Sequence, residues 1–149
     1  LRLKRDVYSA HLKIDGNHHT ETLRAANNYV VGLYTLKRFE EAKSLLRKSV
    51  PVARRVLGNN NALTLRMRWI YAQSLCRADG ATLDDVREAV TTLEDAGRIA
   101  RRVFGGTHPL ASAIERGLRS ARDGLVAREG GRDVSSVCDG VAAMTPGDA

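Results

Sequence analysis

Aromatic residues make up only 5% of the 149-residue chain, with a single tryptophan, and proline occurs three times. Both shortages lean towards helix. No stretch approaches the roughly eighteen consecutive apolar residues that a membrane helix needs. No basic-then-apolar opening precedes a small-residue cleavage site, so nothing indicates secretion. Cysteine is scarce as well: Cys76 sits in a helical pattern and Cys138 in a polar stretch. Such an unrelated pair is expected as reduced thiols in an intracellular, cytoplasmic protein. No serine nucleophile elbow, phosphate-binding lysine loop or dinucleotide fingerprint occurs. An enzyme is therefore not expected, and no cofactor is implied.

What is present is alanine, leucine and arginine, all strong helix formers. The hydrophobic fraction of 43% allows a packed core, and the length allows one compact domain or a short repeat array. Net charge is +7, and 19 of the 24 basic residues are arginine. That balance favours nucleic acid or acidic peptides as partners, although arginine richness also follows from a GC-rich genome. The chain begins at Leu1 in the middle of an apolar-periodic segment, as a fragment or processed form would.

One short phrase recurs. GNHHTETL at 16–23 returns as GNNNALTL at 58–65 and as GGTHPLAS at 105–112. The text between agrees: FEEA at 39–42 returns as VREA at 86–89, and ARRVLG at 53–58 as ARRVFG at 100–105. The spacing grows from 42 to 47 because Lys37-Arg38 is replaced by the seven residues Asp79 to Asp85. Insertions confined to a turn are what repeat arrays tolerate. Each unit reads as two helices, Thr22 to Leu36 with Phe39 to Leu57, then Leu63 to Arg77 with Leu83 to Phe104. Leu1 to Ile14 reads as the second helix of a preceding unit, and Pro109 to Arg128 as the first helix of a following one. Gly16, Gly58 and Gly105 should end helices in the left-handed conformation. His19, Asn61 and His108 should open the next ones, and Thr82 with Asp85 forms a capping-box pattern. Pro51 and Gly97 interrupt the second helices, so each should bend there, with a break at 50–51 as the alternative. After Glu129 periodicity is lost, and a disordered tail is expected.

A helix pair of 42 residues with LGNNNALTL at 57–65, RFEEAKSLLRKSV at 38–50, and ARRVFGGTHPL at 100–110 resembles the tetratricopeptide repeats of the kinesin-light-chain-like type. The resemblance covers about residues 1 to 129 and implies an all-α, α-α superhelix. Its divisions are a half-unit at 1–15, units at 16–57 and 58–104, a half-unit or cap helix at 105–129, and the tail at 130–149. Two positions depart from the pattern: Val30 replaces the usual small residue, and the loop His-Pro is complete only at His108-Pro109.

The resemblance also implies that first helices line a concave groove, where the family holds extended peptides with Asn and basic residues. Helical spacing selects Arg24, Asn27, Val31 and Tyr34 in one unit, then Arg66, Trp69, Gln73 and Arg77, then Arg116 and Ser120. Four arginines on one face favour an acidic segment of another protein, with Tyr34 and Trp69 as apolar anchors. Trp69 has a second reading, as core between neighbouring first helices. A competing class is nucleic acid, through a basic stripe of Arg54-Arg55 and Arg101-Arg102 with Lys43, Arg47 and Lys48 on second helices. The other alternative is a structural subunit that packs through the ends of the array. His18-His19 would diverge in a turn, with no i,i+4 ligand pair to complete a metal set, so no metal is expected. Gly105-Gly106 ahead of the helix at Pro109 has the form of a phosphate cradle, but the repeat already accounts for it.

Overall fold

The repeat phrase resolves into six helices. In a computed structural model that describes residues 1–131, these are α1 (Arg2–Asp15), α2 (Thr20–Thr35), α3 (Phe39–Val56), α4 (Ala62–Arg77), α5 (Leu83–Phe104) and α6 (Pro109–Glu129). All boundaries lie within two residues of those read from periodicity. The tail reading and Cys138 fall, beyond Gly130 and Gly131, outside the described residues.

The junctions explain why the phrase is repeated. His19 Nδ1 accepts the Glu21 N–H at 3.3 Å, Asn61 Oδ1 accepts that of Leu63 at 2.8 Å, and His108 Nδ1 accepts that of Leu110 at 3.1 Å. Each thus satisfies one of the backbone donors that a helix start leaves open. The glycines differ from expectation in one respect. Gly16 (φ 76°, ψ 175°) and Gly105 (φ 88°, ψ 158°) have positive φ but extended ψ, which is not the left-handed helical region. That backbone region is essentially restricted to glycine, so an asparagine would not serve at either place.

α5 opens with the capping box: Thr82 Oγ1 accepts the Asp85 N–H at 3.1 Å, and Asp85 Oδ2 accepts the Thr82 N–H at 2.9 Å. Burial pushes the Asp85 carboxyl up, but the Thr82 N–H and hydroxyl, with Lys43 and Arg47 nearby, hold it below its ordinary value. Thr82→Ala is expected to lower stability by about 1 kcal/mol in equilibrium urea unfolding, with Thr82→Ser retaining most of it.

α3 and α5 both run through their weak points. Pro51 is exposed on α3, and the helix continues through it to Val56. The break at 50–51 is therefore overturned. Gly97 is buried in α5, and a Cβ there would stand 3.3 Å from Ile114 Cγ2 of α6. Its helical cost of about 1 kcal/mol is offset by the close approach of α6.

Each helix packs on the next in sequence. In addition α2 packs on α4 and α4 on α6, whereas the backbones of α1, α3 and α5 stand apart, with Arg47 of α3 reaching Glu88 of α5 only through its side chain at 4.0 Å. First helices are thus drawn together on one side and second helices spread on the other, which curves the stack into an all-α superhelix with the first helices on its inner side. α4 is enclosed by α2, α3, α5 and α6, and every residue from Thr64 to Leu75 except Arg66 is buried. The core runs through it as Leu65, Met67, Trp69, Ile70 and Leu75, joined by Leu33, Leu46, Leu93 and Ile114.

Candidate functional site

The inner side is built from faces of α2, α4 and α6, and the predicted groove residues divide there into three groups. Arg24 is well exposed on α2 and reaches Glu21 at 3.4 Å. Val31, Tyr34, Arg66, Arg77, Arg116 and Ser120 are half-buried along the face. Asn27, Trp69 and Gln73 are buried.

The α2 and α4 stripes meet directly. The Arg77 guanidinium stands 5.5 Å from the centre of the Tyr34 ring and 5.8 Å from that of Phe39. Tyr34 meets Phe39 edge-on at 5.4 Å. A cation over two rings at the helix ends clamps the second unit onto the first. Arg77 and Tyr34, chosen for a ligand, thus also serve the packing.

Trp69 requires a correction. It is 2% exposed, so it is no apolar anchor open to a ligand in this structure. Its indole lies against Gly117 of α6: a Cβ at Gly117 would stand 3.3 Å from Trp69 Nε1 and 2.5 Å from Gln73 Nε2. The missing side chain of Gly117 is the space that α4's stripe fills. Gln73 is withdrawn from the surface by the same contact. Ile70 stands at the position equivalent to Gly117 one unit earlier, and that exchange was the sequence signal for this packing.

Asn27 sits in the inner layer of α2, 3% exposed, and its Oδ1 finds no hydrogen-bond donor among the described residues.

On α4 the sequence reading missed two polar networks. Arg68, also buried, donates to Asp95 of α5 at 2.6 Å. The Arg68 hydrogen bond holds the Asp95 carboxyl below its ordinary value against the effect of burial, with Arg98 assisting. Tyr71 donates to Glu88 of α5 and accepts from Arg47 of α3 at 3.3 Å. Burial first, and then Glu88, push the Tyr71 phenol up, which keeps the proton it donates. These contacts join α4 to α3 and α5.

The outer arginines are largely engaged. Arg54 donates to Asn59 at 2.8 Å, Arg102 to Asn60 at 3.4 Å, and Arg101 pairs with Glu115. Lys43 pairs with Glu40 at 2.8 Å. These pairings reduce the outer stripe read for phosphates. Among the described residues no group of three His, Cys, Asp or Glu is placed to hold a metal ion, and no helix is long and apolar enough to cross a membrane.

A family model described as tetratricopeptide repeat matches residues 22–62, which span α2, α3 and the junction into α4. Residues 22–62 are thus similar to a tetratricopeptide repeat. The helix pair of α4 and α5 follows the matched tetratricopeptide unit with the same junction caps and the same inner first helix. No curated protein and no solved structure matches the chain. Tetratricopeptide repeats generally mediate protein–protein interaction and are typically non-catalytic scaffolds.

Proposed function

We propose that this tetratricopeptide repeat protein, of the kinesin-light-chain-like type, is a cytoplasmic scaffold that holds an extended, acidic segment of another protein in its concave groove. The reading is supported by Arg24, Arg66, Arg77 and Arg116, which lie along the inner faces of α2, α4 and α6 and are none of them buried. An extended acidic segment laid along these faces would bring its carboxylates to planar guanidinium groups that bind them well. Arg24 is well exposed on α2, and Arg66 lies one unit on from it. Carboxylates on the segment would find these guanidinium groups at the rim, where charge sets encounter rate and selectivity.

The test is fluorescence anisotropy with a labelled peptide rich in Asp and Glu. Arg24→Glu with Arg66→Glu should weaken binding by about tenfold or more and flatten its salt dependence. Equal binding of a neutral scrambled peptide, or single-stranded RNA binding that survives the charge reversal, would sink the proposal.

A further inference from the structure

Where α1 and α3 spread apart on the outer side, a pocket of about 190 Å³ opens between them and α2. Its apolar lining is Leu23 and Ala26 of α2, Val52 of α3, and Tyr8 and Leu12 of α1. Two hydroxyls also border it, and both are engaged: Thr22 donates to the His11 carbonyl at 3.3 Å and Ser49 to that of Leu45 at 3.0 Å. Lys48 of α3 is the only charged residue among those that line it. The ammonium forms no ion pair among the described residues, and neither does any acid of α3 stand within one turn of it.

The next unit shows what this space accommodates. First helices repeat after 42 residues and second helices after 47, so Ala26 becomes Arg68 and Lys48 becomes Asp95. The walls are kept, with Leu65 for Leu23 and Ile99 for Val52, all four of them buried. There the arm of Arg68 crosses from α4 to α5 and donates to Asp95 at 2.6 Å, with only 4% of the residue exposed. A chain of methylenes with a charged head thus fills the place, and the second helix supplies the opposite charge. In the first unit Ala26 supplies no arm, and the waiting charge is positive instead of negative. The missing group is therefore an apolar arm with an anionic head. An inorganic anion would leave the apolar walls wet, and an amine would meet a like charge.

We infer that the pocket between α1, α2 and α3 is a binding site for a short aliphatic carboxylate, such as hexanoate. Its alkyl chain lies over Ala26 between Leu23 and Val52, and its carboxylate meets the Lys48 ammonium at the mouth. The site is separate from the concave groove, because its walls come from the outer side of α2 and from two second helices. A bound chain would also bridge α1 and α3, which make no backbone approach to one another. Burial of the alkyl chain supplies most of the affinity, and the exposed lysine selects the sign of the head.

Titration with hexanoate, followed through the backbone amide resonances of the isotope-labelled chain, tests this. Saturable shifts should centre on Ala26, Ser49 and Val52, with a dissociation constant on the order of 1 mM. Butyrate should bind about tenfold more weakly, because it buries two fewer methylenes. Hexylamine should not compete. Lys48→Glu should abolish hexanoate binding with unchanged circular dichroism, because Lys48 is exposed. Ala26→Arg with Lys48→Asp rebuilds the pair of the second unit, so the pocket should be filled and binding lost in a chain that still folds. If that variant does not fold, Lys48→Glu alone decides the matter. Shifts that fail to saturate at these residues, butyrate binding as tightly as hexanoate, competition by hexylamine, or binding that survives Lys48→Glu or the rebuilt pair would each overturn the inference.

Discussion

Trp69→Ala is expected to lower stability by about 3–5 kcal/mol, the range for truncating a large buried aromatic. The indole is 2% exposed and bridges α4 to α6 at Gly117, so its loss would open a cavity where the last helix docks. Urea unfolding followed by circular dichroism checks this, with early fraying of α6 as the expected signature. Trp69→Phe should cost far less, because the indole N–H has no hydrogen-bond partner among the described residues to lose. The comparison separates a packing role from an anchoring one. As the only tryptophan of the chain, Trp69 also reports on itself. Its emission should be blue-shifted in the folded protein and scarcely altered by a saturating acidic peptide. A large peptide-induced quench, with Trp69→Ala leaving stability intact, would return the residue to the groove surface.

The architecture was legible because a repeat writes it several times. The recurrence of the junction phrase fixed six helices, and the turn residues Gly16, Asn61 and His108 do locally what their chemistry requires. The groove was only partly legible. Helical spacing names a face, yet it does not say how deeply stacking buries that face. For Arg24, on the outermost first helix, the face is open. For Trp69 and Gln73, on the central one, α6 closes over it. The Arg68–Asp95 pair left no mark in periodicity, because its members are 27 residues apart and belong to different helices. Arg68 at helical spacing with Leu65, Ala72 and Leu75 on the apolar stripe of α4 was the one available sign.

Asp95→Ala is the second substitution with a large expected effect. It would leave the Arg68 guanidinium, 5% exposed and always charged, without its carboxylate. Breaking a buried pair by removing one partner costs about 3–5 kcal/mol, and the lower end applies because the Asp95 side chain is 33% exposed. Removing the cation instead should cost less: after Arg68→Met, Asp95 keeps Arg98, and Met fits the apolar surroundings of α4. Arg68→Met with Asp95→Leu should be near neutral or stabilising, since it removes both desolvated charges together. The pair also sets a pH dependence. Arg68 holds the folded Asp95 carboxyl below its ordinary value, so the unfolded chain binds this proton more readily. The stabilisation is therefore complete above about pH 4, the unfolded carboxylate value, and is lost as pH falls through the folded one. Asp85, lowered by its capping bonds, adds to the same acid limb and is untouched by these changes. Asp95→Asn should thus lose less stability than the parent chain between pH 7 and pH 3 in urea titrations, while still losing some. Identical losses in both proteins would mean that the ion pair contributes nothing to holding α5 on α4.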